Sequence, residues 1–455
     1  MKPYGYLLSS AENLIRLITG KSEITGFTKY LDSIEYKSAD ELMALQAVEM
    51  SKLLKHAVDR IPFYKEFKDR LELSPDTVNS DIKEFPVLTR EMIEEHYDEL
   101  IDKDIKGGIR VSSGGTTGKE TITIRDRHEM LHVANCYFDS MAGLFPGKSR
   151  LLIRRARSAN FADNPSDRKF TFNPVTRTCT VSPAYMNMEK LEFLYNVYKF
   201  NRPRVILGIT ETIYRFAEYI RENDLKTYRV DLVGTGYQTM LPRYRELIAS
   251  VFKGATLIDG YGANEFGRLA QQCSESNGYH YIPLIHYIES VDAGYKDVPA
   301  GETGQLLVTT LQKRKMPLIR YRVDDLVTVS DKPCDCGRGF PLVESFDGRR
   351  IESIVSPKKT YMSPLPFFEI MSEYRNVEQF KIEQRSDNEV TLILKMKSGE
   401  FTKVQTLAVR KEINRYLDYP MKLSVEYVDA IETMPNGKIM RVQGLESYLS
   451  NKKNS

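Results

Sequence analysis

Residues 150–262 alternate between short apolar segments and amphipathic segments, and this pattern constrains the fold more than any other feature of the chain. Apolar segments of strand length occur at residues 151–153, 205–207, 230–233 and 256–258. Segments with helical periodicity lie between some of them, at residues 212–223 and 242–252, while the polar residues 158–173 predict a long loop. Strands that alternate with helices form βαβ units, whose strands run parallel in one sheet. The pattern therefore predicts an α/β fold with a largely parallel sheet.

The segment before this region predicts a helix that packs on the core. Apolar side chains recur there at spacings of four and three residues, at Met43, Ala47, Met50, Leu54, Ala57 and Ile61. Pro62 should end or kink this helix, because proline has no backbone N–H to donate. Further along, Thr89 is predicted to cap the start of another helix.

The last third of the chain has a different composition of elements. Strands are predicted at 305–311, 318–329 and 422–428, a hairpin turn at 386–388, and a helix at 402–417. The part after residue 347 is therefore expected to be a small α+β unit. We predict two domains: residues 1–347, with mixed, largely parallel sheets and helices, and residues 348–455, a small mobile domain.

The composition excludes several functional classes. The 65 basic and 62 acidic residues nearly cancel and no long run has one sign, so electrostatic binding of nucleic acid is not expected. We find no signal peptide and no stretch of about 18 apolar residues that could span a membrane. The chain of 455 residues contains five cysteines, too few for a disulfide scaffold, which predicts a reducing, cytoplasmic environment.

A loop rich in glycine and hydroxyl side chains lies between two segments of strand character, residues 109–111 and 121–124. Its members are Ser112, Ser113, Gly114, Gly115, Thr116, Thr117, Gly118 and Lys119. Glycine lets backbone N–H groups approach an anion and the lysine adds a compact positive charge, so the loop suits a triphosphate. It is not a Walker A loop, because Ser113 and Glu120 occupy positions where that motif needs Gly and Ser or Thr. A hairpin loop made of turn residues is the alternative.

A second candidate segment follows the predicted strand at 256–258. It comprises Asp259, Gly260, Tyr261, Gly262, Ala263, Asn264 and Glu265. The tyrosine ring between glycines could stack on a nucleotide base, and the carboxylate of Glu265 could reach a phosphate-bound Mg²⁺. The alternative is a loop with a solvated glutamate. Upstream, Gly234 and Gly236 begin a dinucleotide-binding pattern that fails at Thr239, where a third glycine is required.

Two further segments carry charged side chains at turns or strand ends. An aspartate near 324–325 could accept hydrogen bonds from both hydroxyls of a ribose, unless it is only a solvated turn carboxylate. The tight turn Pro435-Asn436-Gly437 would present Lys438 at its tip, unless that lysine is merely exposed.

Taken in order, these segments resemble the motifs of the adenylate-forming (acyl-CoA synthetase) superfamily, in particular its phenylacetate–CoA ligase branch. Residues 112–119 resemble Ser-Ser-Gly-Thr-Thr-Gly-Lys-Pro, and residues 261–265 resemble Tyr-Gly-x-Thr-Glu with Asn264 in place of threonine. Residues 317–325 resemble the branch's "PLIRYRTRD", and Gly437-Lys438 resembles the C-terminal Gly-Lys motif. The resemblance covers most of residues 40–441.

The resemblance implies the activation of a small carboxylic acid by ATP and Mg²⁺, giving an acyl-adenylate and pyrophosphate. It implies that residues 112–119 hold the β- and γ-phosphates and that Glu265 assists Mg²⁺. It further implies that Asp325 and Arg349 contact the ribose and that Lys438 bridges the substrate carboxylate and the α-phosphate. The remaining residues expected to line the nucleotide and substrate site are Gly236, Asp259, Tyr261, Gly262 and Asn264.

The cysteines form a separate constellation. Cys334 and Cys336 offer two thiolates close together, and Cys273 precedes His280 by seven residues. Three cysteines and one histidine can form a closed tetrahedral Zn²⁺ site, although C-x-C is tighter than the usual C-x₂-C. The family resemblance strengthens this interpretation, because related ligases often carry a Cys…His…Cys-x-Cys-Gly-Arg set and some bind structural zinc there. His286 is an alternative to His280. The other two cysteines, Cys136 and Cys179, are expected to be ordinary buried thiols.

The acyl acceptor is left open by the sequence. Most members of the family transfer the acyl group to CoA, but Ile351 replaces the usual hinge Asp or Lys, and the glycine expected in residues 355–360 is missing. Some relatives in this branch are encoded with polysaccharide genes, so an amine or hydroxyl acceptor is the alternative to CoA. A non-catalytic nucleotide-binding relative is a third alternative, and a homodimer is compatible with the sequence.

Overall fold

The fold is described by a computed structural model of the chain. The described residues are 23–113, 121–125, 134, 137–139, 141–142, 150–153, 170–173, 178–181, 188–236, 238, 240–275, 278–349, 353–355, 361–362, 365–374, 376–417, 419–431, 441–445 and 448–449.

The helices are named in chain order. They are α1 (Glu23–Ile34), α2 (Ala39–Arg60), α3 (Val78–Asp81), α4 (Arg90–Glu95), α5 (Met188–Asn201), α6 (Thr210–Glu222), α7 (Pro242–Val251), α8 (Leu365–Ser372) and α9 (Lys403–Leu417). Two 3₁₀ segments, Pro62–Phe67 and Ile82–Glu84, follow α2 and α3. Among the described residues, no helix combines the length and the apolar character needed to cross a membrane.

The strands of the first half are β1 (Ile109–Ser113), β2 (Thr121–Arg125), β3 (Arg150–Ile153), β4 (Phe170–Asn173), β5 (Thr178–Val181), β6 (Val205–Ile209), β7 (Leu232–Gly236), β8 (Thr256–Ala263), β9 (Gly267–Gln272) and β10 (Tyr279–Tyr281). Those of the second half are β11 (His286–Val291), β12 (Thr303–Thr310), β13 (Tyr321–Ser330), β14 (Leu342–Arg349), β15 (Ile354–Val355), β16 (Tyr361–Met362), β17 (Val377–Ser386), β18 (Glu389–Met396), β19 (Lys422–Tyr427) and β20 (Val442–Gln443).

The chain divides into two compact units. The first comprises Met1–Leu45, His128–Ile285 and Lys332–Leu342, and the second comprises Gln46–Arg127, His286–Asp331 and Val343–Ser455. In the first unit the strand order is β10-β9-β8-β7-β6-β3-β5-β4. The neighbours from β5 through β3, β6 and β7 to β8 are parallel, and β4, β9 and β10 add antiparallel pairs at the two ends. The prediction of an α/β fold with mixed, largely parallel strands is therefore confirmed.

The first unit is built on the βαβ units predicted from residues 150–262. α6 begins immediately after β6, and one face of this helix buries Ile213, Phe216 and Ile220. These side chains join the cluster that includes Leu151 of β3 and Val233 of β7. The apolar face of α6 thus covers the parallel strands. β7 and β8 are neighbours among these strands, so their carboxyl ends are adjacent.

In the second unit, β11, β12 and β13 form antiparallel pairs. Residues 353–455 contribute a sheet with the order β19-β18-β17-β20, in which β17 and β18 form the predicted hairpin. A separate hydrophobic cluster lies among these residues and includes Ile354, Phe367, Leu392 and Val409. This part of the chain therefore has an α+β core of its own.

Most local predictions hold, with three corrections. α2 ends just before Pro62 as expected, and Thr89 caps α4 by accepting a hydrogen bond from the N–H of Met92 at 3.3 Å. Met43, however, is 56% exposed, so it does not belong to the buried stripe of α2. Residues 170–173 form β4 rather than loop. The strand predicted from residue 318 begins only at Tyr321, because Arg320 has a left-handed backbone with a φ of 49°.

Candidate functional site

The carboxyl ends of β7 and β8 lie side by side in the first unit. Gly236 pairs with Gly260, and a Cβ on Gly236 would lie 2.9 Å from the Gly260 carbonyl oxygen. The hydroxyl of Thr210, the first residue of α6, donates to the Gly236 carbonyl at 3.2 Å and to the Gln238 carbonyl at 2.9 Å. The Thr210 hydroxyl thus connects the predicted nucleotide loop after β7 to the start of α6. The Gly260 carbonyl leaves room only for glycine at position 236.

The β8–β9 turn carries the second motif. Tyr261 and Gly262 are still in β8, residues 264–266 form the turn, and β9 begins at Gly267. A Cβ on Gly262 would lie 2.2 Å from the Gly267 carbonyl oxygen, so the two strands approach too closely for a side chain. Asn264 is half-buried, whereas Glu265 is 2% exposed. This close approach places Tyr261, Asn264 and Glu265 within one short hairpin at the carboxyl end of a parallel strand, where open α/β sheets bind ligands.

Asp259 lies just before this turn and is buried. Its carboxylate oxygens accept hydrogen bonds from the Thr235 hydroxyl at 2.6 Å and the Tyr279 hydroxyl at 2.8 Å. Burial raises the pKa of Asp259, and these two hydrogen bonds oppose that shift. Asp259 is therefore fixed by side chains on both neighbouring sides of β8.

The predicted phosphate loop begins in the second unit. β1 and β2 form an antiparallel hairpin in which Ser113 pairs with Thr121, so strands flank the loop on both sides as predicted. Ser112 and Ser113 are the last residues of β1. The other predicted members, Gly114, Gly115, Thr116, Thr117, Gly118 and Lys119, lie outside the described residues.

The predicted ribose contacts lie on β13 and β14. Gln305 pairs with Leu326 and Leu307 pairs with Arg322, so residues 323–325 bulge opposite a single residue of β12. Within this bulge Asp324 has a φ of 69° and accepts a hydrogen bond from Arg322 Nε at 3.1 Å. A bulge bends its strand and disrupts the ladder locally, and Asp325 is the last residue of this bulge. Arg349 is the last residue of β14, and Lys438 lies outside the described residues.

The predicted metal ligands come together in the first unit. Cys273, His280, Cys334 and Cys336 place their ligand atoms within 4.8 Å of one another. The Cys273 and Cys334 sulfurs are 3.6 Å apart, and Cys336 Sγ is 3.3 Å from His280 Nε2. Sulfur and nitrogen ligands at about 2.3 and 2.1 Å from a tetrahedral Zn²⁺ would be about 3.6–3.8 Å apart. The Cys273–Cys334 distance agrees with this range, and the Cys336–His280 distance is shorter by about 0.3 Å. The group contains His280, not His286.

The side chains around these ligands orient them. The Nδ1 of His280 lies 3.0 Å from the Phe340 carbonyl oxygen, which directs Nε2 toward Cys336. Arg338 Nε and the Tyr137 hydroxyl both donate to buried Glu35, at 2.8 and 2.7 Å. The segment that follows Cys336 is thus held by a buried carboxylate of the α1–α2 connection.

Burial and hydrogen bonds shift the pKa values of His280, Cys336 and Cys273 in different directions. Burial lowers the pKa of His280 to about 4, so the imidazole is neutral at physiological pH and can be a ligand. Burial opposes ionisation of Cys336, but hydrogen bonds that involve Arg338 and Cys334 lower the pKa of its thiol overall. Burial raises the pKa of Cys273 to about 12, which a metal ion would reverse. The remaining predicted thiol, Cys179, is buried in β5, and Cys136 lies outside the described residues.

Several contacts of these sites were not predicted from the sequence. Thr235 and Tyr279 hold Asp259, and Glu35 holds Arg338. The only local signal was Arg338, which follows the Cys-x-Cys-Gly segment. The others act across strands or from the distant α1–α2 connection, so no spacing in the sequence marks them.

Comparison with known proteins adds an independent line of evidence. No protein-family model matches the chain. The chain is 28% identical over 313 residues to the phenylacetate-coenzyme A ligase of Escherichia coli (strain K12), covering 65% of this chain and 69% of that protein. It is 23% identical over 340 residues to the Thermus thermophilus phenylacetate-coenzyme A ligase, covering 72% and 74%. It is also 22% identical over 457 residues to Protein CapK of Staphylococcus aureus, covering 94% and 95%.

Solved structures show the same fold. A 2-hydroxyisobutyryl-CoA ligase, in the postadenylation state with its acyl-AMP bound, aligns with a TM-score of 0.66 and 16% identity over 92% of this chain and 93% of that chain. An anthranilate CoA ligase in complex with anthranoyl-AMP aligns with a TM-score of 0.52 and 15% identity over 76% and 66%. The proteins matched by sequence and those matched by structure thus both include CoA ligases.

Proposed function

We propose that this chain, which belongs to the adenylate-forming (acyl-CoA synthetase) superfamily in its phenylacetate–CoA ligase-like branch, is an ATP-dependent carboxylate-activating ligase. It forms an acyl-adenylate and then transfers the acyl group to an acceptor. The proposed acceptor is CoA. The observation that carries the proposal is the β8–β9 hairpin, which holds Tyr261, Asn264 and buried Glu265 together at the end of a parallel strand.

The first step joins the carboxylate of a small acid to the α-phosphorus of ATP. An oxygen of the carboxylate attacks, the bond to the bridging oxygen of the β-phosphate breaks, and pyrophosphate leaves with the electron pair. No general base is required, because the carboxylate is already ionised at neutral pH. Catalysis then consists of positioning and stabilising charge on the transferring phosphoryl group.

Each motif has a role in this step. The loop at 112–119, with Lys119, holds the β- and γ-phosphates, and Tyr261 stacks on the adenine. Asp325 and Arg349 hold the ribose, and Lys438 neutralises the charge that develops at the α-phosphate. Glu265 is the residue that would hold Mg²⁺, which would supply positive charge at the phosphates.

We further propose that residues 348–455 act as a mobile lid that brings Lys438 to the site. Support comes from the separate hydrophobic cluster in this region, which includes Ile382 and Leu392. A segment with its own core can move as a body between the two steps of a reaction.

We propose structural Zn²⁺ for the group of Cys273, His280, Cys334 and Cys336. Its support is the fit of the ligand distances and the absence of any open position in a three-thiolate, one-imidazole set. Such a closed site stabilises the fold and does not bind substrate.

A second function is favoured by two departures from the family pattern. Ile351 stands at the hinge position, where the family usually has Asp or Lys, and residues 355–360 lack the expected glycine. These departures favour an adenylating ligase that forms an amide or ester without CoA, for example in the modification of a polysaccharide.

The experiment is a carboxylate screen that measures pyrophosphate release with and without CoA. The proposed ligase should turn over with CoA and at least one acid, and should form the corresponding thioester. If pyrophosphate forms with an acid but CoA neither accelerates its release nor becomes acylated, the second function replaces the first. If no acid gives pyrophosphate release, the chain is a non-catalytic nucleotide-binding relative.

A further inference from the structure

Three side chains lie side by side on three adjacent strands of the first unit. Gly260 of β8 pairs with Gln271 of β9, and Gln272 pairs with Tyr279 of β10. Asp259, Gln272 and Tyr279 therefore form one row across the strands. Because side chains at paired positions of neighbouring strands share a face, the three can interact directly.

Hydrogen bonds connect this row. The Tyr279 hydroxyl donates to Asp259 Oδ2 at 2.8 Å, and the Asp259 backbone N–H donates to Gln272 Oε1 at 3.1 Å. Arg245 of α7 donates to the same Gln272 oxygen at 2.6 Å. Asp259 and Gln272 are buried, so these bonds are made away from bulk water, where leaving one unmade is costly.

The ends of the row join two sites along the chain. Asp259 lies two residues before Tyr261 and six before Glu265, in the hairpin assigned to the nucleotide. Gln272 directly precedes Cys273, and Tyr279 directly precedes His280. Two predicted metal ligands, Cys273 just after β9 and His280 within β10, are thus next in sequence to the two residues that hydrogen-bond to Asp259.

From this arrangement we infer that Tyr279 and Gln272 are positioning residues that couple the metal centre to the nucleotide hairpin. A metal ion bound by Cys273 and His280 fixes the neighbouring Gln272 and Tyr279, which fix Asp259 and so the path of β8 into Tyr261 and Glu265. The inference rests on the proposed nucleotide and zinc sites. It makes the metal a determinant of nucleotide affinity, although no metal ligand contacts the nucleotide.

Coupling of two binding sites is reciprocal, so nucleotide should strengthen metal binding by the same factor by which metal strengthens nucleotide binding. Coupling free energies between sites typically correspond to about 5- to 150-fold changes in affinity. We expect at least about a fivefold effect here, since the connection consists of buried hydrogen bonds.

The test measures zinc affinity of the full chain, with free Zn²⁺ fixed by a nitrilotriacetate buffer, with and without saturating α,β-methylene-ATP and Mg²⁺. Wild type should bind zinc at least about fivefold more tightly with the nucleotide. Tyr279→Phe removes one hydroxyl and no ligand, so it should keep its zinc at saturation but lose most of this difference. The affinity of Tyr279→Phe for the nucleotide should also fall. Thr235→Val keeps the hydrogen bond from Tyr279 to Asp259, so this variant should retain the zinc coupling.

The matched control is Tyr195→Phe. Tyr195 lies on α5, and its hydroxyl donates to the Lys226 carbonyl at 3.1 Å, so the same substitution removes one hydrogen bond outside the row. This variant should show the full coupling. The inference is overturned if the zinc affinity of wild type is independent of nucleotide, or if the coupling persists unchanged in Tyr279→Phe. In either case, binding of the nucleotide would still support the proposed ligase. If calorimetry shows no binding of the nucleotide to zinc-loaded wild type, the proposed function falls as well.

Discussion

Replacement of Gly262 by alanine tests whether the close approach in the β8–β9 hairpin is needed for nucleotide binding. A Cβ at this position would lie 2.2 Å from the Gly267 carbonyl oxygen and 2.9 Å from the Arg268 Cα. Favourable contacts of carbon begin at about 3.5 Å, so these two distances are short by about 1.3 and about 0.6 Å. Both neighbours are backbone atoms of β9 and cannot rotate away, so β8 and β9 must separate where Tyr261 and Glu265 are held.

The expected magnitude follows from the cost of overpacking, which is about 1–3 kcal/mol. If the strands relax by shifting the hairpin, this cost appears in nucleotide binding, where about 1.4 kcal/mol corresponds to a tenfold change. We therefore expect the KM for ATP in carboxylate-dependent pyrophosphate release to rise by roughly 5- to 150-fold. The zinc content should stay at the wild-type value.

Gly260→Ala is the matched control for this substitution. Its Cβ would meet the Ala270 carbonyl oxygen at 3.7 Å and the Thr235 carbonyl oxygen at 3.8 Å, which are ordinary contacts. The KM for ATP should then change by less than about threefold, since a non-strained surface-type change is worth about 0.5 kcal/mol or less. A Gly262→Ala enzyme with wild-type KM, or a Gly260→Ala enzyme that is impaired as strongly, would refute the geometric argument.

Three further predictions concern stability. Cys336→Ser should reduce bound zinc from about one equivalent to a small fraction and lower the thermal unfolding midpoint, measured by metal analysis and calorimetry; unchanged zinc would exclude the proposed ligand set. Glu289→Ala should cost about 3–5 kcal/mol in urea unfolding, because Arg320, which donates to Glu289 at 3.1 Å, would be left as an unpaired buried charge, whereas Glu412→Ala, which removes an exposed pair, should cost less than about 1 kcal/mol. Thr89→Ala should cost about 1 kcal/mol by the same measurement, through loss of the α4 cap, and an unaltered unfolding curve would argue against that role.

The periodic parts of the fold were predictable from the sequence because their burial is decided locally. The stretch from β6 to α7 has the predicted order, since alternating strand and helix periods have few packing solutions. Met43 fits the helical stripe of α2 by spacing but is exposed, because a stripe does not specify which of its ends another element covers. The strand expected from residue 318 fails for a related reason: Arg320 turns to a left-handed backbone and places its guanidinium on Glu289, a residue distant in sequence.

The candidate sites divide in the same way. The spacing of Cys334 and Cys336 indicates a metal site. The choice of His280 over His286 as its ligand depends on the pairing of β9 with β10. Asp259 lies in a recognisable motif, but the hydrogen bonds that Thr235 and Tyr279 donate to it depend on the register of three strands. Motifs that act through adjacent residues are visible in a sequence, whereas contacts made across strands require the fold.

Carboxylate-dependent exchange of radioactive pyrophosphate into ATP, measured without CoA, tests the central claim most directly. Reversal of acyl-adenylate formation returns labelled pyrophosphate to ATP, so wild type should give exchange that requires its acid. Lys438→Ala should abolish nearly all of that exchange, because the cation that stabilises charge at the α-phosphate is lost. Exchange that is undiminished in Lys438→Ala, or release of ADP and phosphate in place of AMP and pyrophosphate, would contradict the account.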